Sequence, residues 1–447
     1  MSRPLRVAVV GAGPAGVYAA DILTKSDVDV QIDLFEKLPA PYGLVRYGVA
    51  PDHPRIKGIV SALQKVLDKP SVRFFGNVEY GVDIKLDDLR SFYDAVIFST
   101  GAAADRPLDV PGINLPGSFG AADFVSWYDG HPDVPRTWPL TATSVAVLGV
   151  GNVALDVARI LAKTADELLV TEIPANVYEG LASSPVTDVH VFGRRGPAQA
   201  KFTPLELREL DHSPNVEVIV HASGIEFDEA SLAVIRSDKQ VSMIVKTLQE
   251  WAIRDVGNRP RRLHLHFLEA PVEVLGSDCV TGLRTETQEL TGDGGVRGTG
   301  VFTDWDVQAV YRAVGYLSTH LADIPFDHVS GTIPHLAGRV LDLDEVPMPG
   351  VYTTGWIKRG PIGLIGHTKG DALETINSLL EDAESLPRCE SPGLDAVEQF
   401  LRQRGVPFVS NEGWRRLDLH EMALGAVEGR ERVKVVPREE MTRISNG

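Results

Sequence analysis

Two glycine-rich turns in this chain have the spacing of a phosphate cradle, and the strand end after each carries a different chemistry. Gly11-Ala12-Gly13-Pro14-Ala15-Gly16 directly follows the apolar run Leu5 to Val10, and Gly149-Val150-Gly151-Asn152-Val153-Ala154 directly follows Val145 to Leu148. In a strand–turn–helix unit the first glycine permits the tight turn, the second lets the backbone approach a pyrophosphate, and the third keeps the helix on the strand. The helix N-terminus then offers free N–H groups and a positive dipole end to the phosphates. After the first turn, the run Val30 to Phe35 ends in Glu36, at about the 20-residue interval at which a carboxylate meets ribose hydroxyls. After the second, the run Val189 to Phe192 ends in Gly193-Arg194-Arg195. A carboxylate repels a 2′-phosphate, whereas paired guanidinium groups offer it fork-shaped, permanently charged donors. The first crevice therefore suits FAD and the second NADP(H). Ala154 in the third position is tolerated by the fingerprint.

Each turn needs a strand before it and a helix after it, and the sequence supplies both. Apolar residues recur at helical spacing after each turn: Val17, Ala20, Ile22 and Leu23 in the first, Leu155, Ala158, Ile160 and Leu161 in the second. Arg194 lies about twice the usual interval from its turn, so Thr164 to Val186 is predicted to be an inserted helix and loop. Asp94 to Ala102 reads as a buried strand closing on a Thr-Gly turn, followed by Pro107 and a Val110-Pro111-Gly112 linker. A strand of the same style, Val307 to Val314, ends in Gly315-Tyr316. Next come Val351-Tyr352-Thr353-Thr354-Gly355-Trp356, the loop Gly360-Pro361-Ile362-Gly363 and a helical run Asp371 to Leu380. Such a loop would place amides and a helix dipole near a flavin ring. Two or three polar-rich helices are expected after Pro387, packed on the first domain.

The expected fold is α/β, with two Rossmann-like dinucleotide-binding domains arranged as in glutathione reductase. The first domain takes residues 1–106, an inserted NADP-binding domain takes 107–316, and residues 317–447 return to the first and add the helical tail.

The chain has 447 residues, 43% of them hydrophobic, enough for two sizeable cores. Its apolar runs are strand-length, so no membrane span is expected, and Leu5 already opens a strand, which leaves no room for a leader. Two cysteines, Cys279 and Cys389, lie far apart and in no CxxC pattern. They argue for the cytoplasm and against structural zinc or an iron–sulfur cluster, and no metal site is expected. The net charge of −17 disfavours nucleic acid and anionic membranes. Arg194, Arg195, Lys201, Arg208, Arg254, Arg259, Arg261 and Arg262 form a basic stretch against that background. It reads either as a solvated loop or as a docking face for an acidic protein.

At this level of detail the chain resembles the adrenodoxin-reductase-type ferredoxin–NADP reductases, and closely their actinobacterial members. The strings that carry the resemblance are Val9 to Gly16, Tyr42-Gly43-Leu44-Val45-Arg46-Tyr47-Gly48-Val49-Ala50-Pro51-Asp52-His53-Pro54 and Phe75-Gly76-Asn77-Val78. Gly151 to Asp156, Gly193 to Pro197, Glu206 to Leu210 and Gly355-Trp356-Ile357-Lys358-Arg359-Gly360-Pro361 add to them. The resemblance implies that Ala15, Glu36, Leu44 and Tyr80 touch the adenosine and pyrophosphate side of FAD. Trp356, Gly363, Leu364 and Ile365 would flank its other end. Arg106, Asn152, Val153, Ala154, Leu155, Arg194, Arg195 and Glu206 would hold NADP, with Gly363 near the nicotinamide. Tyr80 stands where a small aliphatic residue is expected, which a backbone contact on a strand tolerates. Family members move a hydride from NADPH to FAD and release electrons singly to a ferredoxin. The partner implied is therefore an acidic iron–sulfur protein, and the chain is expected to be a monomer.

His53 sits between Asp52 and Pro54, in a loop after Gly48. A lone histidine is more often structural, but the resemblance puts this one near the flavin and nicotinamide, paired with Glu209. A neighbouring carboxylate raises an imidazole's pKa, so such a pair can supply protons and orient the nicotinamide. Glu206 and Glu209 are three apart on a predicted helix and can face one cleft, or form a solvated acidic stripe. Asp156 either serves the positive end of its helix or, by the resemblance, faces the nicotinamide. Three other readings compete. A disulfide reductase needs a redox cysteine pair that Cys279 and Cys389 do not offer. A two-electron reductase of quinones or other small acceptors uses the same halves without a ferredoxin. A non-enzymatic NADPH sensor would carry a flavin that NADPH cannot reduce.

Overall fold

The computed structural model describes residues 3–53, 57–363 and 365–447. The chain forms two compact units. One comprises Met1–Ala104, Asp129–Asp133 and Tyr316–Gly447, and the other Asp105–Tyr128 and Val134–Gly315. A short return, Asp129–Asp133, thus belongs to the first unit although it interrupts the second in sequence.

The first unit is built on a seven-stranded sheet in the order His335–Leu336, Arg339–Leu341, Pro347–Thr353, Ala95–Phe98, Leu5–Val10, Val30–Glu36, Val72–Gly76. From Pro347–Thr353 onward every pairing is parallel. Each residue of Leu5–Val10 is buried, as expected of a central strand covered on both faces. Val7, Val9, Ile32, Leu34 and Ile97 face one core, with Leu23, Ile376 and Leu379 from the covering helices. Ala8, Val10, Phe35, Val96 and Phe98 face the other. Chain order reverses between Leu5–Val10 and its neighbour Ala95–Phe98, so the crevice beyond their carboxyl ends is where such a sheet takes a ligand.

The C-terminal tail forms three helices, Ala396–Gln403, Asn411–Val427 and Arg438–Asn446. Asn411–Val427 starts at Ser410, whose Oγ accepts the Gly413 N–H. Its Trp414 packs edge-on against Tyr42 and donates from Nε1 to Gln64. Further along, the fully buried Glu421 accepts from Arg46 at 2.6 Å and from the Val435 N–H at 3.0 Å. Lys434 Nζ donates to the carbonyls of Arg46 and Asp129. The tail therefore fastens the segment Tyr42–Tyr47 from behind.

The second unit has a six-stranded, wholly parallel sheet in the order Ser118–Gly120, Ala309–Arg312, Ser144–Leu148, Asp188–Gly193, Arg261–Phe267, Val216–Val220. A three-stranded antiparallel sheet, Glu269–Leu275, Gly282–Leu290 and Val296–Trp305, accompanies it. The inserted stretch after the second turn folds as two short helices, Ala165–Leu168 and Ala175–Ala182. Among the described residues no helix is long and apolar enough to cross a membrane.

Candidate cofactor and catalytic sites

In the first unit the glycines of the turn are dictated by their surroundings. Gly11 has φ +106°, and a Cβ there would stand 2.5 Å from the Ser99 carbonyl oxygen at the end of the neighbouring strand. At Gly16 a Cβ would fall 2.1 Å from the Gly11 carbonyl oxygen. Gly13 is different: its nearest neighbour would be Gly43 Cα at 3.9 Å, so the backbone is open on the side a pyrophosphate approaches. Pro14 opens the helix Pro14–Leu23 at a position where its missing N–H costs nothing. Ser99 locks the crossing by donating its hydroxyl to Gly11 O at 2.8 Å.

Glu36 ends its strand half-buried, with one oxygen accepting the Ala12 N–H at 3.0 Å and the other the Leu38 N–H at 3.2 Å. Burial raises its pKa, and those two N–H donors oppose the rise. Each oxygen keeps a lone pair for a ribose hydroxyl. Ala15 is buried and lies against Gly355, where a Cβ would be 2.6 Å from Ala15 Cβ. That close approach brings the Gly355-Trp356 turn to the first phosphate loop. Asp371 fixes the turn by accepting from Thr354 Oγ1 at 2.9 Å and from the Gly355 N–H at 2.5 Å. Trp356 opens the short helix Trp356–Arg359 and is half-buried, and Leu44 opens Leu44–Tyr47 directly after Gly43.

Gly363 is exposed, with φ +86°, just before the helix Ile365–Asp382, which starts earlier than the sequence pattern suggested. Leu364 and Pro54 lie outside the described residues. Tyr80 lies beyond the strand Val72–Gly76, in an isolated bridge with Ile84 rather than on a strand. Its hydroxyl donates to the Ala322 carbonyl and its ring stands edge-on to Phe98. His53 is buried, with its N–H donating to Ala50 O across the Ala50-Pro51-Asp52 turn.

In the second unit the first clash repeats. Gly149 has φ +131°, and a Cβ there would meet the Ala313 carbonyl oxygen at 2.3 Å, again from the neighbouring strand's end. At Gly151 a Cβ would meet nothing within 4 Å, which leaves the face of the loop free. Asn152 Oδ1 accepts the Thr203 N–H at 2.9 Å, and Lys201 N donates to Val150 O, so the segment before Pro204–Glu209 is tied to the loop. Val153 follows Asn152 in the first turn, while Ala154 and Leu155 are fully buried and seat the helix Asn152–Ala162. The residues of both loops thus fit dinucleotides.

Arg194 is exposed and Arg195 half-buried at the end of Asp188–Gly193, and Arg106 is exposed with its N–H on Gly315 O. Among the described residues these three guanidinium groups hydrogen-bond and ion-pair to nothing in the protein. Four arginines of the basic stretch are engaged within the fold. Arg254 forks onto Asp211 and the Val218 carbonyl, and Arg259 donates to the carbonyls of Ser213 and Val216. Arg261 caps Asn152–Ala162 through the Ala162 and Lys163 carbonyls, and Arg262 pairs with Asp188.

Asp156 and Glu206 are both buried, and a residue not anticipated from the sequence lies between them. Arg159, 2% exposed, donates to Asp156 Oδ1 at 2.7 Å and stands 3.7 Å from Glu206. Asp156 is therefore charge-balanced by Arg159 rather than by its helix N-terminus. The available signal was an arginine three residues on, on the helix face that carries the buried residues. Thr203 caps the helix of Glu206 and Glu209 by accepting the Glu206 N–H, and Glu209 ends that helix half-buried. His53 belongs to the first unit and Glu209 to the second.

Over residues 5–190 the chain matches the pyridine nucleotide-disulphide oxidoreductase family. It is 40% identical to the NADPH-ferredoxin reductase FprA of Mycobacterium tuberculosis, covering all of both chains. The chain belongs to the adrenodoxin-reductase-type ferredoxin reductases. It is also 38% identical to the human mitochondrial NADPH:adrenodoxin oxidoreductase, over 98% of this chain and 91% of that one. The structure of Mycobacterium tuberculosis FprA in complex with NADPH superposes with a TM-score of 0.91 at 39% identity over the full length of both. Membership makes the chain an oxidoreductase with FAD and NADP(H) as its cofactors.

Proposed function

We propose that this chain is a ferredoxin–NADP reductase that takes electrons from NADPH through FAD and passes them singly to a ferredoxin-type iron–sulfur protein. The observation that carries the reading is the contrast between its two strand ends, a carboxylate bonded to one phosphate loop and two uncommitted guanidinium groups beside the other. Hydride and electron chemistry is what the bound cofactors supply. The protein's part is to bind, orient and hold protons.

Gly11, Gly13, Ala15 and Gly16 with the first helix N-terminus take the FAD pyrophosphate, Glu36 its ribose, and Leu44 and the Tyr80 backbone its adenosine side. Trp356 and Gly363 border the isoalloxazine. Asn152, Val153, Ala154 and Leu155 take the NADP pyrophosphate, with Arg194, Arg195 and Arg106 on the 2′-phosphate and Glu206 beside them. His53 and Glu209 are the residues assigned to orient the nicotinamide and to handle protons at the flavin. Asp156, paired with Arg159, is the third polar group of that set.

The partner is a small acidic iron–sulfur protein, the enzyme a monomer, and its compartment the cytoplasm. A reducing compartment suits two free cysteines, exposed Cys279 and buried Cys389. The test is NADPH-driven cytochrome c reduction by the purified flavoprotein, with and without ferredoxin, across a salt series. A rate that requires ferredoxin and falls with salt is expected. Indifference to ferredoxin would replace this reading with a two-electron reductase of quinones or other small acceptors.

A further inference from the structure

Four histidines converge on one face of the second unit's sheet, and the cofactor chemistry uses none of them. His190 is on Asp188–Gly193, His264 and His266 are on Arg261–Phe267, and His221 directly follows Val216–Val220. The parallel register sets His264 beside His190 and His266 beside Phe192, while the His221 N–H bonds to Leu265 O. Alternate residues Val189, Val191, Leu263 and Leu265 point the other way, into apolar packing. The imidazoles stack, with ring centroids 4.4 Å apart for His190–His264 and 4.2 Å for His221–His266. Trp305 closes one side, 4.5 Å from the His266 ring.

We propose that His190, His264 and His266 form a binding site for an imidazole-preferring divalent transition-metal ion, with zinc the probe of choice. One ring nitrogen from each lies within 4.8 Å of the others. Zinc–nitrogen bonds of about 2.0–2.1 Å in a tetrahedron place ligand nitrogens roughly 3.3 Å apart. His190 Nδ1 and His266 Nε2 are already 3.1 Å apart. One His264 nitrogen already has a carboxylate partner, as ligand histidines commonly do. The ring Nε2–H donates to Asp188 Oδ1 at 3.1 Å, which leaves Nδ1 with its lone pair. His221 flanks the set, with Nε2 3.2 Å from His264 Nδ1, and the ion displaces that contact.

The donor set is neutral and all nitrogen, which selects zinc, nickel, copper or cobalt over magnesium or calcium. Arg262 works against the ion. Its guanidinium binds Asp188 at 2.6 Å, and the carboxylate stands between the two cations. The His264 side chain keeps 12% exposure, so an edge of the cluster is open to entering solvent. With three protein nitrogens and solvent as the fourth ligand, the ion would pin two adjacent strands that come from distant stretches of sequence.

The experiment uses the FAD-loaded full chain carrying Cys279→Ser, to remove the exposed thiol as a competing ligand. After chelator treatment it is dialysed against Zn2+, and bound metal is measured with a competing indicator. One equivalent per chain is expected, held through gel filtration, with Co2+ giving the intense visible bands of a tetrahedral site. His264→Gln and His266→Gln should each weaken binding at least about 100-fold, and Asp188→Asn about 10- to 100-fold. His420→Gln, at an exposed position of the other unit, should leave binding unchanged. Should His266→Gln fail to fold, His264→Gln and Asp188→Asn decide. No stoichiometric Zn2+ in the unmutated cluster, or equal affinity in the His264 and Asp188 variants, overturns the proposal.

Discussion

At the scale of single residues, the two cofactor loops differ by what stands at the following strand end, and this yields two predictions. The guanidinium groups of Arg194 and Arg195 bond to nothing within the protein among the described residues, so their charge is available to a 2′-phosphate. Replacing both with alanine is expected to remove roughly 2–4 kcal/mol of NADPH preference, a roughly 30- to 1,000-fold fall in the NADPH-to-NADH ratio of kcat/KM. A double variant that keeps the parental ratio would show that other groups read the phosphate. His53 and Glu209 are expected to act as one unit. His53→Ala and Glu209→Ala should each slow flavin reduction by NADPH at least about tenfold, and the double variant should lose little more than either. Rapid-mixing absorbance at the flavin band measures this, and additive losses would sink the pairing.

At the scale of elements, what was legible in the sequence is what is local. The first glycine of each turn, Gly11 and Gly149, is fixed by contact with the end of one neighbouring strand, and Glu36 by the ordinary length of a strand–helix–strand unit. Long-range polar partners left no local trace. Arg159 between Asp156 and Glu206 needed the fold to be seen, and so did the counter-charges Asp211 and Asp188 that consume Arg254 and Arg262. Tyr80 falls outside a strand because the strand Val72–Gly76 ends where Gly76 bridges to Val409, a long-range contact. The tail, read from sequence as packing alone, has a more definite job. Glu421 is buried opposite Arg46, in the segment that carries Leu44. Removing one partner of a buried pair costs about 3–5 kcal/mol, because the other charge stays buried. Glu421→Gln should therefore destabilise the first unit by about 3 kcal/mol in urea unfolding and speed FAD release. Wild-type FAD retention alongside lowered stability would separate the tail from the flavin site.

For the whole molecule, the net charge of −17 sets a constraint that the individual arginines cannot escape. An acidic partner meets long-range repulsion that salt screens beyond a Debye length of about 10 Å at 0.1 M, so productive docking must rest on short-range attraction from uncommitted cations. Arg254 is not one of them. It spends its guanidinium on Asp211 and the Val218 carbonyl and lies over the Trp251 ring at 5.0 Å. Its removal should act on stability rather than on recognition. Arg254→Ala is expected to cost about 1–2 kcal/mol through the lost hydrogen bonds, which in a unit of this size lowers Tm by roughly 2–8 °C. The ferredoxin KM at low salt should stay within about twofold of the parent, since the association rate responds to exposed charge and not to charge already neutralised within the fold. Calorimetry and steady-state titration of ferredoxin on the same preparation read the two quantities independently. A several-fold rise in KM with an unchanged Tm would return Arg254 to the docking face and mean that its bond to Asp211 opens when the partner arrives.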